Sequence, residues 1–319
     1  MANFTRRDAM IALGAVAGSG FVTAAVTPLG EALGGILRDK AEKILDPFDY
    51  DLEAIKGVFG PIDVRSSFVP GQSHPNPKYP GFHPDDEYIA DRFDELVRDT
   101  VENRVVYDSS RIPQNLKGTV IASGSPVSNA LARRLLQYDF VNPSDRMAGL
   151  ARAENPIFDL DFEFILSRAS LDGLGVSSPV GRSGETGNWS IHKKSSHDLY
   201  ASEVKEEKID SDYLLVTCLP NVYDEESLAN GENIYLLAGG HGVGTKGADL
   251  LLKDSAILAR VQREVGHSLY WQALFKIEGV DHFYNDPKYG VRWHPRRLAA
   301  GFEVSTVSFN EDRLRELLL

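Results

Sequence analysis

The residues best suited by type and spacing to do chemistry lie in a glycine-dense stretch in the last third of the chain. His241 follows an apolar run, Ile234 to Ala238, that predicts a buried strand. Four glycines surround the histidine, at positions 239, 240, 242 and 244. An imidazole gives or takes a proton near neutral pH, and a glycine loop before a helix offers backbone N–H groups to an anion. This stretch therefore predicts a ligand-binding loop with His241 as a catalytic acid or base, although a loop histidine facing water fits the pattern equally well.

The residues predicted to bind a ligand in this loop are Gly240, Gly242, Gly244 and Thr245. Thr245 is also predicted to cap the helix that follows, whose apolar positions include Ala248, Leu251 and Leu252.

A second strand, loop and helix start lies at 118–136. Thr119 to Ala122 predicts a short buried strand, and Ser128 or Asn129 can cap the next helix. The polar side chains predicted to face a ligand are Ser123, Ser125, Ser128 and Asn129. Because open α/β sheets bind ligands at the carboxyl ends of their strands, we expect the two loops to share one pocket. Neither loop has the Gly-x-Gly-x-x-Gly or the Gly-Lys-Ser/Thr spacing of the nucleotide fingerprints.

Other chemical candidates are weaker. Glu278 follows an alternating stretch, Leu269 to Ile277, that predicts a strand, and it could be a carboxylate partner for a catalytic site or a solvated strand end. The sequence has no Gly-x-Ser-x-Gly motif, which carries the nucleophilic serine in many hydrolases. The spacing of the residues does not by itself identify a catalytic triad. The one cysteine, Cys218, lies in an apolar run and predicts a buried side chain rather than a nucleophile, a disulfide or a metal ligand. The histidines and aspartates at 74–86 are too irregularly spaced to predict a metal site, and no cofactor is indicated.

The charge of the chain excludes one class of partner. The 319 residues include 34 Lys and Arg against 46 Asp and Glu, a formal net charge of −12. Nucleic-acid binding requires clustered basic side chains, so we expect no nucleic-acid partner. Ala201 to Asp212 is highly charged and predicts a solvated segment.

The N-terminus carries a targeting pattern. Thr5-Arg6-Arg7-Asp8 precedes a weakly apolar, Gly- and Ala-rich run from Ala9 to Thr27, and Val22-Thr23-Ala24 offers small residues for cleavage. This segment resembles a twin-arginine signal peptide, although Ala9 stands where a large apolar residue is usual. The resemblance implies recognition by the twin-arginine export machinery and an extracytoplasmic location. Membrane anchoring through the same segment, or a cytoplasmic protein whose N-terminus only imitates a signal, are the alternatives.

The coarse pattern predicts an α/β fold: a three-layer, mostly parallel sheet of Rossmann- or flavodoxin-like type, with an antiparallel edge and an extended N-terminal arm. We expect a signal-like segment at 1–30, a helical and proline-rich arm at 31–117 and the α/β domain at 118–319. The aromatic stretch Asp281 to Pro295 predicts an apolar clasp over the sheet more than a ligand site.

Two functional expectations follow. The first is an exported protein that binds a small anionic or nucleotide-like ligand at its two Gly/Ser loops and could also hydrolyse it. The second is a non-enzymatic surface protein that self-associates through the scaffold and its proline-rich arm.

Overall fold

A computed structural model of the chain describes residues 50–63, 65–71, 84–96, 116–142, 149–166, 190–205, 208–266, 268–286 and 290–318. Contacts divide the chain into Met1–Asp49 and Tyr50–Leu319, and every described residue belongs to the second unit. The predicted signal-like segment, the helix expected over Glu31 to Leu45 and most of the proline-rich passage lie outside the described residues. Within those ranges, no helix combines the length and the apolar character that crossing a membrane requires.

Six α-helices and one 3₁₀ helix are described. The α-helices are α1 (Leu52–Phe59), α2 (Pro84–Leu96), α3 (Ala130–Leu135), α4 (Glu225–Ala229), α5 (Gly242–Leu252) and α6 (Ser255–Val265), and the 3₁₀ helix is Glu311–Leu318. Helix starts follow capping chemistry: the Asp254 carboxylate accepts from Ile257 N at 2.9 Å, as its position before an apolar-periodic stretch predicts.

The main sheet has seven strands. They are β1 (Ser67–Pro70), β2 (Val120–Ser123), β9 (Glu203–Lys205), β10 (Lys208–Pro220), β11 (Asn233–Gly239), β12 (Trp271–Asp286) and β13 (Gly290–Thr306). Smaller antiparallel sheets contain β3 (Tyr138–Phe140) with β4 (Leu150–Arg152), β5 (Phe158–Asp159) with β14 (Ser308–Phe309), and β6 (Phe162–Ile165) with β7 (Ser190–Lys193) and β8 (Leu199–Ala201).

The main sheet is mixed, which corrects the expectation of a mostly parallel one. Its order is β1-β2-β11-β10-β12-β13, with β9 paired to β10. Of the described pairings, β1–β2 and β2–β11 are parallel, and β10 is antiparallel to β9, β11 and β12, as β12 is to β13. The expected α/β class is confirmed, but four of the six described pairings in this sheet are antiparallel, so the antiparallel part is not only an edge.

Period-two alternation distributes the apolar side chains between two cores, one on each face. Leu214, Val216 and Cys218 of β10 enter one core, while Leu215 and Leu219 enter the other. Helices α1, α2, α5 and α6 cover the first face. The small sheets, α3 and the 3₁₀ helix cover the second face. Both faces are therefore buried, which explains why the strand sequences of β10 and β11 are almost continuously apolar.

The β12–β13 hairpin extends beyond the rest of the sheet. Register with β10 ends at Glu278, and beyond it the two strands pair only with each other among the described elements. Gly279 lies at the departure point with φ +72°, a conformation that side chains with a Cβ rarely adopt. The extension lies against α5 and α2, because Lys246 Nζ donates to Trp293 O at 3.0 Å and His294 contacts the Tyr88 ring edge-on. The stretch expected to be an apolar clasp over the sheet is thus part of the hairpin itself and lies against helices, with Phe283 exposed.

Candidate functional site

The two predicted loops lie at the same edge of the sheet. β2 and β11 are parallel neighbours with Ser123 in register with Leu237, and Gly124 N donates to Leu237 O at 2.8 Å. Helix α3 begins after the first loop and α5 after the second. The first turn of α2, Asp85 and Asp86, contacts both loops, as the distances below show. We call this edge the rim: the residues Ser123–Asn129, Gly239–Thr245, Asp85 and Asp86.

Asn129 in the first loop is fully engaged by the protein. Its side-chain oxygen accepts from Ala132 N at 3.1 Å, which confirms Asn129 as the cap of α3. Its Nδ2 donates to Val69 O at 2.8 Å and to Ser123 O at 2.9 Å. The buried amide therefore joins the ends of β1 and β2 to the helix, and no donor of this side chain is left for a ligand.

Asp86 occupies the space that the first loop encloses. Ser123 Oγ donates to Asp86 O at 2.6 Å, and Ser128 Oγ donates to Asp86 Oδ2 at 2.9 Å. A Cβ placed on Gly71 or on Gly124 would overlap the Asp86 carboxylate, so both glycines are needed for its approach. Gly124 also has φ +106°, which favours glycine independently.

Ser125 completes the first loop through its backbone. Its carbonyl accepts from Ser128 N at 3.0 Å and from Asn129 N at 2.8 Å. The structure thus brings the four predicted side chains of this loop together, but three of them hold the protein's own groups.

The second loop is shorter than the glycine pattern suggests. Helix α5 begins at Gly242, and His241 is the residue before it. Thr245 does not cap this helix: its hydroxyl lies inside the first turn, is buried and accepts from Gly239 N at 3.0 Å. Gly240 N donates to Tyr213 O at 3.2 Å.

The glycines of α5 allow two carboxylates to approach the start of the helix. A Cβ on Gly242 would overlap the Asp85 carboxylate, and a Cβ on Gly244 would lie 2.5 Å from both Asp212 Oδ2 and Tyr213 O. Residues 242 and 244 point to roughly opposite sides of a helix. Asp85 and Asp212 therefore flank the first turn, one from α2 and the other from β10, where the helix dipole favours negative charge.

His241 is held by a serine and a buried aspartate. Its Nδ1 lies 2.8 Å from Ser202 Oγ, and Ser202 Oγ donates to Asp212 Oδ1 at 2.7 Å. His241 N also donates to Asp212 Oδ2 at 3.0 Å. The Asp212 side chain has 0% exposure and that of His241 has 17%.

The proton inventory of this network fixes the imidazole tautomer. A serine hydroxyl has one hydrogen, and an ionised carboxylate can only accept. Since Ser202 donates its hydrogen to Asp212, Ser202 Oγ accepts from His241 Nδ1–H, and the lone pair of the neutral ring lies on Nε2. Within the described part of the chain, Nε2 has no hydrogen-bond partner.

Glu278 does not belong to this network. It lies within β12 rather than at a strand end, and it forms an ion pair with Arg297 Nε at 3.0 Å. Its register partner on β10 is Ser211, whereas Asp212 is opposite Ile277. Because successive side chains of a strand point to opposite faces, Glu278 and Asp212 lie on different faces of the sheet. The carboxylate that accompanies His241 is Asp212, not Glu278.

A row of polar side chains lies between α2 and α5, and we call it the polar seam: Asp85, Tyr88, Lys246, Asp249 and Lys253. The Lys246 ammonium is buried and lies 2.7 Å from Asp85 Oδ1. One turn further, the buried Asp249 accepts from Tyr88 OH at 2.9 Å and from Lys253 Nζ at 2.8 Å. Burial raises the pKa of the Tyr88 hydroxyl well above its usual value, and the Asp249 charge adds to the effect. The seam sets the position of Asp85 beside Gly242.

Metal and thiol chemistry have no support among the described residues. No three His, Cys, Asp or Glu side chains in those ranges are arranged to hold a metal ion. Cys218 is a free, buried cysteine, as expected, and burial raises the pKa of its thiol to about 12, which makes it a poor nucleophile.

Sequence reasoning missed Ser202, Asp212 and the first turn of α2. Ser202 and Asp212 lie in the segment 201–212 that was expected to be solvated, yet Asp212 is completely buried. One signal was present: Asp212 directly precedes the apolar run of β10, a position at the margin of the core where a polar side chain can be buried.

Comparisons of the chain with protein-family models, with curated proteins and with solved structures give no match, so its assignment depends on the geometry of the rim.

Proposed function

We propose that this protein is an acid–base enzyme, of hydrolase type, that binds a small ligand at the rim with His241 as the proton acceptor. The observation that carries the proposal is the chain of contacts from the buried Asp212 carboxylate through Ser202 Oγ to His241 Nδ1, with Nε2 left for a ligand. A general base is commonly oriented by a hydrogen bond to another side chain, and here Ser202, itself bonded to Asp212, has that role.

In the proposed reaction His241 Nε2 takes a proton from a water molecule, whose oxygen attacks the acyl carbon of an ester or amide. The bond from that carbon to the alcohol oxygen or amine nitrogen then breaks, and the leaving group takes the proton back from Nε2. The imidazolium that forms keeps its Nδ1–H bond to Ser202, and its charge lies near Asp212, whose Oδ1 is 3.9 Å from Nδ1. Asp212 is fully buried, so this interaction is weakly screened. Proton transfer to a positioned side chain contributes about 10² to 10⁴ in rate.

Ser202 has a positioning role in this scheme. Its hydroxyl hydrogen is directed to Asp212 rather than to the histidine, so the serine is not activated as a nucleophile. It holds the imidazole ring, selects the tautomer and connects β8–β9 with β10 and the start of α5.

The proposal is tested by hydrolysis of a panel of chromogenic esters and amides at pH 7. We expect His241→Asn to lower the rate of any hydrolysed substrate by at least about a hundredfold. His197→Asn is the matched control, because His197 is an exposed histidine with φ +63°, a conformation that asparagine tolerates. Equal rates for His241→Asn and the parent protein would contradict the proposal.

We further propose that the protein is exported through the twin-arginine machinery. Arg6 and Arg7 before the weakly apolar run support this location, and a sheet without disulfides is compatible with it. Replacing both arginines with lysine should leave the protein inside the cell, and cell fractionation measures the outcome. An unchanged distribution would favour the anchored or cytoplasmic alternative.

A further inference from the structure

We infer that the ligand held at His241 is neutral or cationic rather than anionic. The inference rests on the proposed function of the rim and identifies the class of substrate that the rim accepts. It departs from the expectation that the glycine pattern alone suggests.

The backbone donors that would bind an anion are largely used by the protein. Gly239 N donates to Thr245 Oγ1, Gly240 N to Tyr213 O, and His241 N to Asp212 Oδ2. Gly244 N and Thr245 N both donate to His241 O, at 3.0 and 3.2 Å. A glycine loop binds phosphate because consecutive N–H groups are unoccupied, and here five of the seven N–H groups from Gly239 to Thr245 have protein acceptors.

The positions beside the helix start are already occupied by negative charge. Asp212 accepts the His241 amide on one side of the first turn, and Asp85 lies against Gly242 on the other. Both carboxylates lie beside the helix start, and the charge of Asp212, which has no Lys or Arg partner within the described ranges, would repel an anionic ligand.

Lys246, the basic residue nearest to His241 in the chain, is not free to offset the charge of Asp212. Lys246, on the first turns of the same helix, is buried, binds Asp85 and donates to Trp293 O. Asp212 has no Lys or Arg partner within the described ranges, and its nearest cation would be a protonated His241. The rim therefore favours a ligand that brings no negative charge to Nε2.

The test compares two alkylating reagents of the same shape and different charge. Iodoacetamide is neutral and iodoacetate is anionic; in both, the Nε2 lone pair attacks the methylene carbon and iodide leaves. The rate of modification of His241 is measured by peptide mass spectrometry in the folded protein and in the protein unfolded in urea. The unfolded chain supplies the reference ratio for the same residue.

We expect the iodoacetate-to-iodoacetamide rate ratio at His241 to be on the order of tenfold lower in the folded protein than in the unfolded one. Asp212→Asn should restore most of the ratio, whereas Asp210→Asn, which removes an exposed carboxylate on the same strand that pairs with Lys205, should not. Added salt should also raise the ratio in the parent protein, and this measurement needs no variant.

Two results would overturn the inference, and they are distinguishable. A folded ratio equal to or above the unfolded one would show that anions are accepted, while leaving His241 as an accessible base. Failure of both reagents at His241, with His197 modified in the same sample, would remove the inference and the proposed function together. Cys218 does not compete in the folded protein because its thiol is buried.

Discussion

The loop at Ser123–Asn129 and the loop at Gly239–Thr245 follow adjacent parallel strands, yet they use their polar groups differently. The first is closed on itself: Asn129 binds three backbone groups, and Ser123 and Ser128 hold Asp86. The second pairs five of its backbone amides with protein acceptors, but it leaves one ring nitrogen of His241 without a partner in the described residues. The first loop joins β1 and β2 to α3, and the second offers the ring nitrogen of His241 as a base.

The comparison shows that the anion held by a glycine- and serine-rich loop can be a carboxylate of the protein itself rather than a ligand. Asp86 fills the first loop, and Asp85 and Asp212 flank the second. Buried carboxylates at helix starts satisfy the unpaired N–H groups and favour the helix dipole. The following substitutions would separate the structural role of the first loop from the proposed chemical role of the second. They are ordered by the expected change in the free energy of unfolding.

Gly244→Ala should have the largest effect, a loss of about 3 kcal/mol. The added Cβ would lie 2.5 Å from Asp212 Oδ2 and from Tyr213 O, and the backbone atom cannot move aside easily. Urea denaturation measures the change, and reactivity of His241 should be lost with it. Gly301→Ala is the control, since nothing lies within 4 Å of its Cβ position. Similar losses for both variants would contradict the close approach of Asp212 to the helix.

Asn129→Ala should cost about 2 kcal/mol, because it removes a helix cap and leaves two buried carbonyls with a lost donor. Asn129→Ser keeps a cap acceptor and removes the Nδ2 donors without adding a charge, so it isolates the link between β1 and β2. Thermal denaturation compares the two. In both variants the alkylation rate of His241 should stay near the parent value; a rate that falls in proportion to stability would place Asn129 in the chemical site.

Ser202→Ala should cost about 1 kcal/mol, since Asp212 loses one donor but keeps the His241 amide. The effect on His241 should be larger than the effect on stability, because the ring loses the group that fixes its tautomer. Nitrogen-15 NMR of the imidazole should show both neutral tautomers in the variant and mainly the Nδ1–H form in the parent. Ser196→Ala, at an exposed serine, controls for the loss of a hydroxyl. A single unchanged tautomer in Ser202→Ala would contradict the positioning role.

Two buried tyrosines allow the same comparison in the core, between a hydroxyl that has a hydrogen-bond partner and one that has none among the described residues. Tyr138 OH donates to Phe164 O at 2.9 Å, whereas the buried Tyr223 hydroxyl has no partner among the described residues. Tyr138→Phe should cost about 1 kcal/mol at pH 7, and Tyr223→Phe should change stability by less than about 0.5 kcal/mol. Chemical denaturation of the two variants provides the measurement, and equal losses would contradict the difference between the two sites.

Tyr223 also predicts a dependence on alkaline pH. Burial raises the pKa of its hydroxyl to about 12 in the folded protein, and the unfolded value is about 10. The folded state therefore keeps this proton longer, so its contribution is fully present below pH 10 and is lost as the pH rises towards 12. Unfolding measured between these values should become less pH-dependent in Tyr223→Phe than in the parent. An unchanged slope would show that the tyrosine is not the titrating group.

The sequence predicted the strands better than their directions. The alternation of Trp271, Ala273, Phe275 and Ile277 predicted a strand with one protected face, and these residues lie in one core. The continuous apolar runs of β10 and β11 were interpreted as parallel strands, because parallel sheets are buried on both faces. Here small sheets and α3 bury the second face instead, so burial carried no information on direction.

The rim could be predicted only in part for a similar reason. The glycines at 242 and 244 indicated that something approaches the chain closely, but not that it would be Asp85 and Asp212. These aspartates are distant in sequence, and each sits in a segment whose composition indicates solvent exposure. His241 was identified because a titratable residue in a glycine loop is locally unusual, whereas its partners depend on tertiary pairing that local patterns do not record.

β2 is the strand with a described parallel neighbour on each side, and this position has a consequence for how the molecule assembles. β10 with β11, and β12 with β13, join segments that are close in the chain, whereas Val120 must find Ile234 and Ser67 across long intervals. Closing long intervals loses chain entropy before the new contacts compensate. The carboxyl-terminal strands can therefore form a framework early, and that framework already contains His241, Ser202 and Asp212. Docking of the amino-terminal pair then completes the first loop of the rim rather than the histidine network.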